Sequence, residues 1–114
     1  MKYDICTMNQ LDLALMEGKS IVTDHCVVCG AHGHLEQHHI VRRSAGQVVR
    51  AGIMLEKPTL TLCGRGNTSG CHGLAHQLRL HFRWHNGAWQ YLKTQEPTKY
   101  QDALAMDGWQ YLEG

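Results

Sequence analysis

A chain of 114 residues with one Phe and twelve Gly has room for one modest apolar core, and a core of that size commonly needs a staple. No apolar run approaches the ~18 residues of a membrane span, and the opening Met1-Lys2-Tyr3-Asp4-Ile5-Cys6 lacks the apolar stretch of a secretory leader, so a cytoplasmic protein without membrane partners is expected. The net charge of +1 conceals an asymmetry: from Gln37 to Leu92 seven Arg or Lys stand against one acid, Glu56, while the ends are acidic. A basic centre of this kind suits a polyanion or is an ordinary solvated surface, and charge alone leaves both open.

Residues 7–17 are predicted as a short helix, capped by Thr7, with Leu11, Ala14 and Leu15 on one face and Gly18 at its end. Cys26-Val27-Val28-Cys29-Gly30 then reads as a zinc knuckle. A redox pair would open a helix in a βαβ pattern, which is not evident here. Residues 35–41 read as a strand that breaks at Arg42 to Gly46, and residues 47–58 are apolar but interrupted by Gly52 and stopped by Pro58. Residues 59–63 alternate as a strand, residues 64–70 form a loop of Gly, Arg, Asn, Thr and Ser, and residues 71–80 read as a helix with Leu74, Ala75 and Leu78 toward one side. Residues 80–92 read as a hairpin about Asn86-Gly87, and residues 97–106 as a last helix with Trp109 and Leu112 folding back. Trp84, Trp89, Tyr91 and Trp109 can stack on bases or pack a core, and packing is the expectation. No internal repeat or linker is present, so residues 1–114 are taken as one domain.

Five cysteines divide into four ligands and one remainder, Cys6. Cys26, Cys29, Cys63 and Cys71 fill the four tetrahedral positions of a structural Zn2+, in a compartment where paired cysteines are more often ligands than disulfides. The seven residues between Cys63 and Cys71 are expected to be a flexible insertion.

His72 and His76, four apart on the predicted helix, share a face and can bind one ion. His38 and His39 are neighbours on a strand and point to opposite faces, so one metal takes only one of them. That division suits phosphodiester hydrolysis, in which a metal polarises the phosphate while a neutral histidine takes a proton from the attacking water. His25, His32, His34, His81 and His85 have no such context and are expected to be surface or structural residues.

The order Cys-x-x-Cys from Cys26, His38-His39-Ile40, Leu62-Cys63, then Cys71-His72 and His76 resembles the HNH endonucleases with a zinc staple. The likeness spans residues 26–76. It implies an α+β fold: a small zinc-stabilised ββα-metal (His-Me finger) domain, here with an N-terminal helix and a C-terminal hairpin plus helix. It implies that His39 is the general base and that His38, His72 and His76 hold the catalytic divalent ion (Mg2+, Mn2+, Ni2+ or Zn2+). The family's middle Asn has no counterpart in residues 56–59; Asn67, beyond the strand, is the candidate to orient the base. The implied activity is metal-dependent hydrolysis of DNA, with Arg42, Arg43, Arg65, Arg79 and Arg83 as candidate phosphate contacts. Many members are encoded by bacteriophages, which would set the protein in the host cytoplasm beside phage DNA-processing partners. One copy would nick; cutting both strands needs a homodimer or two successive nicks. The alternative is a zinc-finger-like module that binds DNA or a protein without catalysis.

Overall fold

The computed structural model describes residues 4–5, 10–41, 48–50, 52–66 and 68–112. In chain order its elements are β1 (Asp4–Ile5), α1 (Gln10–Leu15), β2 (Leu35–His39), β3 (Val48–Arg50), β4 (Ile53–Leu55), β5 (Thr59–Cys63), α2 (Gly70–His76), β6 (Leu80–His85), β7 (Ala88–Lys93), α3 (Tyr100–Leu104) and β8 (Gln110–Tyr111). The strands form three small antiparallel sheets, ordered β1-β3-β4, β2-β5 and β6-β7-β8, which with short helices makes an α+β fold.

The β2-β5 pair sets up the rest. Glu36 lies opposite Leu62 and His38 opposite Leu60, so these four share one face. Leu60 and Leu62 are fully buried and anchor the core with Leu15, Val27, Val41, Leu80, Phe82 and Trp89. The other face carries Gln37, whose Nε2 donates to Ile21 O (3.2 Å) and Thr59 Oγ1 (3.1 Å), while the Thr61 hydroxyl donates to Gln37 Oε1. The preceding segment is tied to β5 by Ile21 N to Thr59 O (2.9 Å), Thr61 N to Ile21 O (3.2 Å) and Val27 N to Thr61 O (3.0 Å). These bonds bring the Cys26 turn beside the strand that ends at Cys63.

The helix α2 packs between β5 and β6. It stops at His76, short of the expected residue 80, because Leu78 takes a left-handed φ of 61°. Leu78 N bonds Ala75 O (3.2 Å) and Arg79 N bonds Leu74 O (2.9 Å), the paired closure of a helix C-terminus. Leu78 is therefore 47% exposed rather than part of the helix's apolar side. The hairpin forms as expected, with Asn86 (φ 51°) and Gly87 (φ 76°) both left-handed, as a two-residue type I′ turn requires.

Aromatic packing, not exposed stacking, occupies Trp89. It is 3% exposed, donates Nε1 to Lys19 O (2.7 Å) and meets Trp84 edge-on at 5.2 Å. Gly18 makes room for it: a Cβ there would lie 2.1 Å from Trp89 Cζ2. The last helix is shorter than residues 97–106, because Thr98 N is drawn away to Leu78 O (2.9 Å). The first predicted helix is seen from Gln10; Thr7, like Cys6, lies outside the described residues. The predicted strand at 35–41 ends at His39, and the ambiguous stretch at 47–58 contains β3 and β4, which turn back through Gly52 at φ 79°.

Candidate metal centres

Among the described residues two groups of side chains converge as metal ligands can: Cys26, Cys29, Cys63 and Cys71 in one, and His38, His72 and His76 in the other. In each, all the ligand atoms lie within 4.8 Å of one another.

The cysteines come from one turn and from the ends of two regular elements. Cys26 and Cys29 sit on a knuckle closed by Gly30 N to Cys26 O (2.9 Å), with Gly30 at φ 80°. Cys63 ends β5 and Cys71 opens α2. Between them the described residues are a tight knot rather than a flexible insertion. Arg65 O accepts Thr68 N (3.1 Å) and Ser69 N (3.0 Å), and Ser69 Oγ accepts Arg65 N (3.1 Å). At its neck Gly64 and Gly70 pass so closely that a Cβ on Gly64 would lie 2.2 Å from Ser69 O, and one on Gly70 2.5 Å from Cys63 O. Both have positive φ, so glycine is demanded twice over.

Cys29 Sγ and Cys63 Sγ are 3.5 Å apart, close to the edge of about 3.8 Å that two thiolates make on a tetrahedral zinc. Cys71 N also donates to Cys63 Sγ (3.4 Å), as amides do to zinc-bound thiolates. Without an ion the thiols share protons unevenly: the bond from Cys71 holds Cys26 low, and that same bond, then burial, pushes Cys71 up. Cys26 and Cys71 are buried while Cys29 is exposed. The four can hold a structural ion such as zinc.

The histidines come from regular elements. His38 stands on β2, and His72 and His76 lie one turn apart on α2. The ring of His38 is 5.0 Å from that of His72 and 5.6 Å from that of His76. Nε2 of His72 and Nε2 of His76 are 3.2 Å apart, near the edge of about 3.3 Å expected for two imidazoles on one tetrahedral ion. Burial, then the neighbouring His72 and His76, pushes His38 down to about 3, so it stays a neutral donor at ordinary pH. Burial lowers His76 as well.

Glu36 was not singled out by sequence reasoning, yet it orients this group. Its Oε1 accepts His72 Nδ1–H (2.8 Å) and Gly66 N–H (2.9 Å), and its Oε2 accepts His34 Nε2–H (3.0 Å). Hydrogen bonds from His34, Gly66 and His72 hold the Glu36 carboxyl down to about 2. The first consequence is that His72 carries its proton on Nδ1 and turns the Nε2 lone pair toward His38 and His76, the usual arrangement behind a ligating histidine. The signal was available: Glu36 is two residues before His38, and on a strand that spacing means the same face.

His39, the next residue on β2, lies opposite Thr59 and is not in the ligand group. Among the described residues no arginine is seen to join either centre. Arg65 is exposed on the knotted loop. Arg79 is partly buried, with Nε lacking a hydrogen-bond partner. Arg83 is engaged elsewhere, 4.5 Å over the Trp109 ring and donating Nε to Gln90 Oε1 (2.7 Å). Arg42, Arg43 and Asn67 lie outside the described residues. His81, expected at the surface or in a structural role, is structural: it is buried and donates Nε2–H to Leu78 O (2.9 Å). Among the described residues no helix is long and apolar enough to cross a membrane. No family model, curated protein or solved structure matches the chain.

Proposed function

We propose that this chain is a metal-dependent endonuclease of the HNH type, built on a ββα-metal core in residues 26–76, that hydrolyses phosphodiester bonds of DNA. The observation that supports this most is the convergence of His38, His72 and His76 from a strand and a helix, braced by Glu36, with His39 as the next residue of the strand. A four-cysteine zinc site beside it supplies the staple that so small a core needs.

In this reading His38, His72 and His76 hold one divalent ion, which when bound polarises the scissile phosphate and stabilises the leaving oxygen. Glu36 keeps the His72 Nε2 lone pair free and makes that ring a better ligand. The low basicity of His38 keeps it deprotonated and ready to ligate. His39, turned to the other side of the pleat, stays off the ion and takes the proton of the attacking water. Arg65, exposed on the knotted loop one residue before Gly66, is the described arginine this reading assigns to a backbone phosphate.

The test is conversion of supercoiled plasmid to open-circular or linear DNA by zinc-loaded protein, with Mg2+, Mn2+, Ni2+ or Zn2+ added. Wild type should cut, and His39→Ala should cut at least about 100-fold more slowly while keeping its zinc. No conversion with any of these ions would leave the non-catalytic zinc module as the better reading. Undiminished cutting by His39→Ala would remove His39 from the base role.

A further inference from the structure

One loop serves both centres. Its ends, Cys63 and Cys71, are two of the four sulfur ligands. Its neck is closed by Gly64 and Gly70, which cross at contact distance. From that neck Gly66 reaches over the histidines. Its N–H donates to the Glu36 oxygen that also accepts His72 Nδ1–H. It has little room for a side chain: a Cβ at Gly66 would stand 3.1 Å from His72 Cε1 and 3.2 Å from His76 Nε2, so the two rings would have to give way. So the backbone of this loop forms one wall of the histidine centre and orients the hydrogen bonds behind its ligands, while its two ends are drawn together at the cysteines.

We infer that the loop between Cys63 and Cys71 is the positioning element of the histidine centre, with Gly66 as the positioning residue, so that the ion held by the cysteines sets the affinity of the histidines for theirs. The inference rests on the reading that both centres bind metal. The physical path is short. An ion on Cys63 and Cys71 closes the neck. The closed neck holds the Gly66 amide on Glu36. Glu36 then fixes the Nδ1–H tautomer and ring angle of His72, which a ligand to an ion requires. An open neck releases the Gly66 amide, and Glu36 loses one of its three donors. Because the coupling is a free energy between two sites, filling the histidine centre must in turn tighten the cysteine centre by the same factor.

The experiment uses the full chain carrying one zinc per molecule, with Co2+ as the probe of the histidine centre. Calorimetry gives its affinity. The absence of thiolate-to-cobalt absorption shows that cobalt has not displaced zinc. In wild type a second ion should bind, and long-range nitrogen–proton NMR of the cobalt-free protein should show His72 protonated at Nδ1. Gly66→Ala should weaken cobalt binding by about 10- to 100-fold, with zinc content unchanged and the His72 tautomer no longer fixed. Replacing zinc by the larger Cd2+ in the wild-type cysteine centre should shift cobalt affinity at the histidines with no residue altered. Should Gly66→Ala fold poorly, Glu36→Gln tests the same path and should weaken cobalt binding in the same range. Cobalt affinity and tautomer that are unchanged by Gly66→Ala, or a histidine centre indifferent to Cd2+, overturn the coupling while leaving the two metal centres standing. A wild type that binds zinc but no second ion overturns both readings.

Discussion

The cysteine and histidine centres are built from different materials. Cys26 and Cys29 sit in a turn, and Cys63 and Cys71 stand at the end of a strand and the start of a helix, where Gly30, Gly64 and Gly70 bend the adjoining backbone into conformations that other residues resist. The histidines sit on β2 and α2, where ordinary periodicity brings them together. The ligands of the cysteine centre come from separate bends of the chain, and four thiols that converge have little to hold them together without an ion. A site displayed on a strand and helix that pack against Leu60, Leu62 and Phe82 keeps its shape without one. In the proposed reading the first centre serves stability and the second holds the catalytic ion.

The sharpest way to break that contrast is to remove one ligand from each. Cys71→Ser, or zinc removal by a chelator, should unfold the domain, since zinc binding at such sites is worth on the order of 10 kcal/mol and is inseparable from folding. Circular dichroism and zinc content should fall together. His76→Ala should leave zinc and fold in place, with a loss within about 1 kcal/mol for a side chain that is exposed, while the second ion is lost. A chain equally unfolded by either change would erase the distinction.

The same contrast explains what was legible in the sequence. The cysteine set follows from spacing, and the grouping of His72 with His76 from the helical repeat, because each needs only local geometry. The opposite facing of His38 and His39 follows from the pleat. What escaped was whatever depends on long-range contacts. Glu36 matters only because α2 returns to β2, bringing His72 against it from 36 residues away. The loop between Cys63 and Cys71 looks flexible from its composition, yet crossing glycines and the bonds of Arg65 and Ser69 make it a knot. The helix read over 71–80 stops before Leu78, which has a φ of 61° and a carbonyl that accepts both Thr98 N and His81 Nε2, contacts no local propensity contains. Charge alone suits Arg83 to phosphate, but its guanidinium lies over Trp109, a contact from outside the hairpin, and its Nε bonds Gln90, its cross-strand neighbour.

Acid separates the centres by a smaller amount. Burial and its histidine neighbours hold His38 at about 3 in the folded chain against 6.5 for the free side chain. Between those values the unfolded chain binds a proton that the folded chain refuses. Stability from this group is therefore intact above pH ~6.5 and falls as pH drops toward 3, by about 1 kcal/mol for each pH unit crossed. Glu36 runs later: with its carboxyl held at about 2, its contribution persists above pH ~4.5 and is lost as pH falls through 2. Urea unfolding of zinc-loaded protein, free of a second ion, at pH 7 and pH 5 should show the loss. His38→Asn should show a shallower pH slope than wild type, because the same thiolates titrate in both proteins and cancel. Equal slopes would mean that His38 takes up its proton as readily in the folded chain as in the unfolded one, and that burial does not hold it neutral.

The finest test compares two glycines that look alike. Gly30 (φ 80°) and Gly87 (φ 76°) are both left-handed, and a Cβ on either would meet nothing within 4 Å. Alanine at each should therefore cost the same backbone term, about 1–2 kcal/mol, with no steric addition. Gly87 turns a hairpin that carries no ligand, but a domain that unfolds without its zinc folds and binds in one step, so Gly87→Ala should lower stability by that amount and pass the same cost into zinc affinity. Gly30 closes the knuckle of Cys26 and Cys29, whose folding and zinc binding are one equilibrium. The same cost should therefore appear at both positions as an approximately tenfold or greater loss of zinc affinity, read by competition with a chromogenic chelator. If both variants lose stability alike and neither loses zinc affinity, the knuckle is held by the surrounding protein rather than by its ion, and the cysteine centre would be as preformed as the histidine centre.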